Sequence, residues 1–374
     1  MHISLSEEQQ LLKDSVARFV EENYSIERLR DLRDSGRPLD AERWQQLAEL
    51  GWLALPFDEQ DGGFGGSAID LMVLMEQFGR GLVTDPYLVN VVICGAFLRA
   101  ADEGVRSHYL SGLIAGESQW AFAFAEPQGR FRLHDVSLSA EAADGGFRLR
   151  GDKIAVLNGE AADFFLVTAR TGGDRRDRDG ISLFLVPADA DGLERSAYQL
   201  VDGSRGASLH FKDVEVESAA LIGEAGTALP VVEDVIDQAI VAMGAEALGA
   251  MDVLLEQTVE YTRTREQFGQ PISRFQALQH RMADMYLECQ KLRSLLYYAA
   301  ILRNEGRPDA GKAASALKVK LEEAGRFVSQ QAVQLHGGIG MTDELGISHY
   351  FKRLLLLNTL FGDGEHHLRR YLAA

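Results

Sequence analysis

Three stretches of different periodicity follow one another along this chain, and their order limits the possible folds more than any other feature. Up to about residue 118 the pattern is helical. Ser6 with Gln9 has the spacing of a capping box, and Leu11, Leu12, Val16, Phe19 and Val20 then recur at helical intervals. The segment GWLALPFDEQDGGFGG (51–66) reads as a glycine-rich loop, after which DLMVLMEQFGRGLV resumes a helix. From about 119 to 225 the period shortens. Runs rich in Phe, Val, Ile and Leu, such as WAFAFAEP, DFFLVTAR and GISLFLVPA, are separated by Gly and Asp turns. That is the signature of an antiparallel β-sandwich or barrel. The charged TGGDRRDRDG (171–180) reads as a solvated hairpin tip. Helix then returns over 231–265, interrupted only by Gly244 and Gly249, and over 274–304 and 311–336. Apolar residues three and four apart suit a four-helix bundle. The expected fold is α+β and multidomain: a helical domain (1–118), a central β domain (119–225) and a C-terminal four-helix bundle (226–374).

Composition excludes several function classes. A net charge of −18 disfavours a protein that tracks nucleic-acid phosphates. It makes a basic-rimmed protein the better electrostatic partner. No run of about 18 apolar residues stands out, so no membrane span is expected. The start, MHISLSEEQQLLKDSV, has no signal-peptide core and is too acidic for a transit peptide. The two cysteines, Cys94 and Cys289, sit in apolar or helical contexts and read as buried thiols of a cytoplasmic protein. The histidines show no ligand spacing with cysteine, so no metal site is expected.

Two segments carry chemistry. In YTRTREQFGQPISRFQALQHRMADM (261–285), Gly269 and Pro271 break a helix and leave Arg265 and Phe268 in a loop. An arginine beside an aromatic can clamp a phosphate and cover a flat ring. The plainer reading is a surface arginine and a core phenylalanine. In QQAVQLHGGIGMTDE (330–344), glycines at 337, 338 and 340 are more than a helix C-cap needs. Here structure and ligand contact stay equally open. No GxGxxG follows a strand, so a Rossmann nucleotide fold is not supported.

Together with the block order, RTREQFG, FQALQ and QLHGGIG resemble the acyl-CoA dehydrogenase family of flavoproteins, over essentially the whole chain. The loop LGWLALPFDEQDGGFGGS and the LFGD tail look most like one subgroup. It includes the small subunit of pimeloyl-CoA dehydrogenase and the heteromeric enzymes of steroid side-chain breakdown. The resemblance implies FAD held between subunits of a homotetramer or an α2β2 heterotetramer. Arg265 and Phe268, with Gln276 nearby, would reach the flavin nucleotide of a neighbouring chain. Gln334, Gly337 and Gly338 would line its adenosine and pyrophosphate. FAFAEP matches the strand that passes the flavin ring, with Phe122 and Phe124 on it and Ala125 where the family usually has threonine. The flavin-facing Trp-x-Thr-Asn is here Ala155, Val156, Leu157 and Asn158. Both departures remove side-chain donors, leaving backbone N–H groups of Phe124 or Leu157 to serve.

The implied reaction is α,β-dehydrogenation of an acyl-CoA thioester, with electrons passed to an electron-transfer flavoprotein. An acyl-CoA oxidase is the rival among enzymes. The reaction needs a base, and a desolvated carboxylate suits it. The family's glutamate, in a Tyr-Glu-Gly-Thr sequence, is here Gly362 in Phe361-Gly362-Asp363-Gly364. The alternative position, on the helix before RxxFG, is Ala239. Asp237 matches a family aspartate near the CoA-binding region, and the arginine expected next to that base position is Ile240. Three readings stay open: Asp363 is the base; the chain is a base-less subunit paired with a competent homologue; or Glu365 or Asp237 serves. Glu365 better fits the solvated start of the last helix. His366 and His367 are expected beside the nucleotide or solvent.

Overall fold

The computed structural model describes residues 5–143 and 145–373. In chain order the helices before the sheet are α1 (Glu7–Asn23), α2 (Ile26–Ser35), α3 (Ala41–Glu49), α4 (Ala68–Arg80), α5 (Gly95–Arg99) and α6 (Glu103–Ile114). Eight strands follow: β1 (Trp120–Ala123), β2 (Ser139–Ala143), β3 (Gly146–Leu157), β4 (Phe164–Arg170), β5 (Ile181–Pro187), β6 (Leu193–Gln199), β7 (Arg205–Glu217) and β8 (Leu221–Ile222). The chain then runs through α7 (Leu229–Thr264), a hairpin of β9 (Glu266–Gln267) and β10 (Gln270–Pro271), α8 (Gln276–Asn304), α9 (Ala310–His336), α10 (Gly346–Thr359) and α11 (Gly364–Ala373). This is the expected order of helical, β and helical blocks, and the capping box at Ser6 and Gln9 forms.

By packing, the residues form two units, neither contiguous in sequence. One holds the chain to Asp34, Ser67–Thr84 and everything from Ile240 onward. The other holds Ser35–Gly66 and Asp85–Ala239.

The second unit is organised by one sheet in the order β6-β7-β3-β2-β4-β5-β8, with β1 added beside β4. Its pairings are antiparallel except for β1 with β4 and a single register point of β2 with β4. Phe165, Val167, Phe184, Val186, Leu209, Phe211 and Val214 fill its core. As expected, the turn 171–180 is a solvated hairpin tip joining β4 to β5, exposed from Gly172 to Asp179. It folds around the Arg170 guanidinium, which donates to the carbonyls of His134 (3.0 Å), Arg175 (2.8 Å), Asp177 (3.1 Å) and Asp179 (2.7 Å). One buried cation thus satisfies backbone acceptors that the turn itself leaves unpaired.

In the first unit the helices cross closely. A Cβ on Gly249 of α7 would lie 2.0 Å from the Glu76 carbonyl oxygen of α4, and one on Gly79 would lie 1.9 Å from that of Glu246. The glycine that interrupts the apolar pattern of α7 is therefore a contact point, where backbone meets backbone. Arg293 of α8 ties the same crossing, bridging Glu76 (3.0 Å) and Asp252 (2.5 Å). Against the expectation of no membrane span, α7 is by length and composition apolar enough to cross a bilayer, with a window of mean hydropathy 1.4. Acidic residues such as Asp237 and Glu246 interrupt its apolar letters. In the fold 83% of that window is buried in protein, as for the central helix of a bundle. Both cysteines are free and buried.

Candidate active site

α7 ends at Thr264, where the Arg265 N–H closes on the Tyr261 carbonyl at 2.8 Å. The β9–β10 hairpin follows, with Phe268 and Gly269 at its tip. Their φ values are 55° and 78°, so both central residues are left-handed, as a tight two-residue hairpin requires. Glycine adopts this freely, but a phenylalanine there is strained. Its side chain is 91% exposed, touching Phe275 edge-on at 6.1 Å. The core-phenylalanine reading therefore falls. A rigid turn holds a large apolar ring in solvent, beside the exposed Arg265 and Gln276.

The second motif lies close by. Tyr261, one helical turn before Arg265, stacks on His336 at 4.4 Å, and its hydroxyl donates to the His336 carbonyl at 3.3 Å. His336 immediately precedes Gly337. The fold thus joins two motifs far apart in sequence through a residue that sequence reading passed over, although Tyr261 opens the quoted segment. Burial pushes the His336 imidazole below its usual range, so at neutral pH the stack is uncharged. Gly337 has φ 67°, and a Cβ on Gly337 or Gly338 would meet nothing within 4 Å. These glycines are not demanded by neighbouring atoms of this chain. They keep a backbone surface open beside the exposed Gln334. Asp343 anchors the loop beyond them, pairing with Arg33 at 2.7 Å and receiving the His349 ring N–H on its carbonyl at 3.1 Å.

In the β unit, Phe122 is buried and packs on Phe97 (4.9 Å) and Phe124 (5.2 Å). Phe124 and Ala125 are half-buried. Ala155 has φ 52° and donates its N–H to the Tyr198 hydroxyl at 2.9 Å. Leu157 is half-buried at the end of β3. The Asn158 amide is committed inward, donating to the Trp120 carbonyl at 3.0 Å and to Gln119 at 3.3 Å. Its side chain therefore braces the start of β1. Asp237 is buried on α7, and Ala239 and Ile240 beyond it are fully buried.

The tail answers to its own packing. Phe361 and Gly362 are left-handed, at φ 57° and 122°. A Cβ on Gly362 would lie 2.7 Å from both the His366 and His367 rings. His367 is buried, receiving the Ser315 hydroxyl on Nδ1 (3.4 Å) and donating from Nε2 to the Phe361 carbonyl (3.0 Å). Burial pushes it down to about 3, so it is neutral. The expectation that both histidines face nucleotide or solvent is thus corrected for His367, because the turn at Phe361 needs an internal donor. Asp363 is half-buried, and its Oδ1 accepts the His366 backbone N–H at 2.8 Å, the geometry of a helix N-cap for α11. The fully buried Lys318 donates to the Leu357 carbonyl, and Glu322 receives the Gly364 N–H. Burial pushes Lys318 down to about 7 against the pull of Glu322 and Asp363. Glu365 is exposed in the first turn of α11 and pairs with Arg369.

Sequence profiles described as the N-terminal, middle and C-terminal domains of acyl-CoA dehydrogenase match residues 6–117, 121–214 and 229–374. The chain is 30% identical to mitochondrial isovaleryl-CoA dehydrogenase of Pongo abelii, over 98% of this chain and 88% of that protein. It belongs to the acyl-CoA dehydrogenase family. Among solved structures, the ChsE4-ChsE5 complex from Mycobacterium tuberculosis matches with a TM-score of 0.90 at 27% identity, covering 100% of this chain and 98% of that one. The FAD complex of PigA matches at 0.92 and 26%, with the same coverage.

Against the acyl-CoA dehydrogenase pattern, this chain's two regions diverge. The ring on the hairpin is exposed, and a Cβ on either open glycine meets nothing within 4 Å. At Gly362, by contrast, the His366 and His367 rings leave no room for a side chain. Among the described residues, no cluster of His, Cys, Asp or Glu is arranged to hold a metal ion.

Proposed function

We propose that this chain is a flavin-holding subunit of a heteromeric acyl-CoA dehydrogenase, catalysing α,β-dehydrogenation together with a homologous chain that supplies the base. One observation carries the reading: Gly362 stands where the family has its glutamate, and the His366 and His367 rings already occupy the space into which a side chain would project. Ala239, at the alternative position, is fully buried. The likeness to a two-component complex supports a heteromeric assembly, which we take as α2β2, over a homotetramer.

FAD, when bound, supplies the hydride-accepting chemistry. Toward the FAD of a neighbouring chain, Phe268 would cover an aromatic face, and Arg265 would offer its planar donors to the pyrophosphate. Gln276 and Gln334 would add amide contacts, while Gly337 and Gly338 admit close backbone approach. Phe124, Ala125 and Leu157 would meet the ring through backbone, with Phe122 and Asn158 bracing that surface. Asp237 would lie toward the acyl-CoA. The reduced flavin would pass electrons to an electron-transfer flavoprotein. Peroxide formed at the turnover rate would instead make the enzyme an oxidase. The subgroup resemblance points to a bulky acyl group or one with a distal carboxylate, in a cytoplasmic enzyme.

A second reading has its own observation. Asp363 directly follows Gly362 and is only half-buried, so a small backbone shift would present it as the base. Replacing it with Asn in the assembled enzyme separates the two. Flavin reduction by substrate at an unchanged rate is expected; loss of reduction with the fold intact would transfer the role to Asp363.

A further inference from the structure

Lys153 and Lys318 are among the largest fully buried side chains in the molecule. A buried ammonium is costly unless it is paired. Lys318 is absorbed by the tail, where it holds the end of α10. Lys153 has a different setting. It lies on β3 beside a register shift against β7. The left-handed Ala155 makes a bulge there, so that Lys153 and Val156, three residues apart, both turn inward.

The Lys153 Nζ donates to Glu126 Oε1 at 2.7 Å, to the Thr168 hydroxyl at 3.1 Å and to the Phe124 carbonyl at 3.2 Å. Glu126 is equally enclosed. It accepts the Ser137 N–H (2.7 Å) and hydroxyl (2.5 Å), the Gln128 amide (2.7 Å) and the Leu138 N–H (3.2 Å). The Ala125 carbonyl, between them, accepts the Ile154 N–H at 2.8 Å. The acceptors of three successive residues are thus drawn inward and fixed. Desolvation pushes Lys153 down against the pull of Glu126, while Glu126, despite its burial, is held below its usual range by Lys153, Ser137 and Gln128. Bracing alone does not call for ions, because an apolar pair of similar volume braces a core as well or better.

We infer that Lys153 and Glu126 are positioning residues for the flavin, fixing the Phe124–Ala125 backbone and balancing the charge beneath it. This rests on the proposed FAD site. With alanine at 125, recognition along this segment falls to main-chain groups, and those are set by the Lys153 ammonium on Phe124. In a low-dielectric interior, losing one partner leaves the other's charge poorly screened. A flavin gains electrons on reduction, so an unbalanced cation nearby raises its potential and an unbalanced anion lowers it.

The test uses Lys153→Met, Glu126→Gln and the double variant, in the full chain loaded with FAD and assembled with its homologue. The midpoint potential and the FAD dissociation constant are measured. The potential should fall in Lys153→Met, rise in Glu126→Gln and return close to wild type in the double variant. FAD should bind about tenfold more weakly in each single variant. Unchanged potentials, or shifts of the same sign in both single variants, would overturn the inference and leave only a structural brace. If Lys153→Met does not fold, the rise in Glu126→Gln and its reversal in the double variant decide the question. A wild-type chain that takes up no FAD, alone or assembled, overturns the proposed function and the inference with it.

Discussion

The Phe268 hairpin and the Phe361–Gly362 turn use the same backbone device for opposite ends. Each places a phenylalanine and a following glycine in left-handed conformation, at φ 55° and 78° in one and 57° and 122° in the other. In the hairpin the ring is 91% exposed; in the tail it is 7% exposed. The first turn uses its strain to present a group outward, which on the proposed reading meets the flavin nucleotide. The second tucks the chain inward, and internal hydrogen bonds to His367 and Asp363 hold it there. One is a surface awaiting contact. The other has become part of the core.

The largest effect that could break this contrast is at Gly362. Putting back the family's residue as Gly362→Glu should destabilise the chain by about 3 kcal/mol or more, because it adds both backbone strain and a clash with two rings. It should not restore flavin reduction by acyl-CoA. Urea unfolding and an anaerobic reduction assay check both halves, and a stable variant that reduces flavin would show the position to be open.

His367→Gln comes next, through pH. In the unfolded chain His367 takes up its proton near 6.5, but in the fold only near 3. Between those values the unfolded state binds more protons, so stability is full above 6.5 and falls as pH falls toward 3. From pH 7 to 4.5 the wild type should therefore lose about 2–3 kcal/mol more than the variant. Parallel urea titrations at the two pH values would show it, and equal losses would place His367 outside the core.

Phe268→Ala should do the reverse. Its effect on unfolding should stay within about 0.5 kcal/mol, as for an exposed residue. FAD should bind at least about tenfold more weakly, as when a stacking aromatic is removed. Smallest is Glu365→Ala, whose exposed pair with Arg369 should contribute less than about 0.5 kcal/mol by the same unfolding measurement. A larger loss would draw the first turn of α11 into the packed region with its neighbours.

The block order and the long helices were legible because hydrophobic period reports directly on secondary structure. So was the loop that carries Arg265 and Phe268, since Gly269 and Pro271 break helices locally. What stayed hidden was set by tertiary contact. Gly249 looks like a flaw in a helix until α4 lies against it. His367 looks like a functional histidine until Ser315 and Phe361 claim both of its nitrogens. Asp363 looks like a displaced base, and its partner is a backbone N–H three residues on. Lys153 went unread, because the bulge at Ala155 that turns it inward has no local signature. Short polar side chains near a turn have several uses, and letters alone do not choose among them.

On the proposed reading, the cofactor surface is intact while the base is missing. That reading is tested most directly by purifying the chain alone and with a homologue that carries the family glutamate, then titrating each anaerobically with a panel of acyl-CoAs. The oxidised-flavin absorbance is followed throughout. Flavin in the mixed assembly should bleach with one acyl class, while the chain alone is colourless or stays yellow. Stoichiometric bleaching of the chain alone would contradict that reading and make this chain a self-sufficient dehydrogenase.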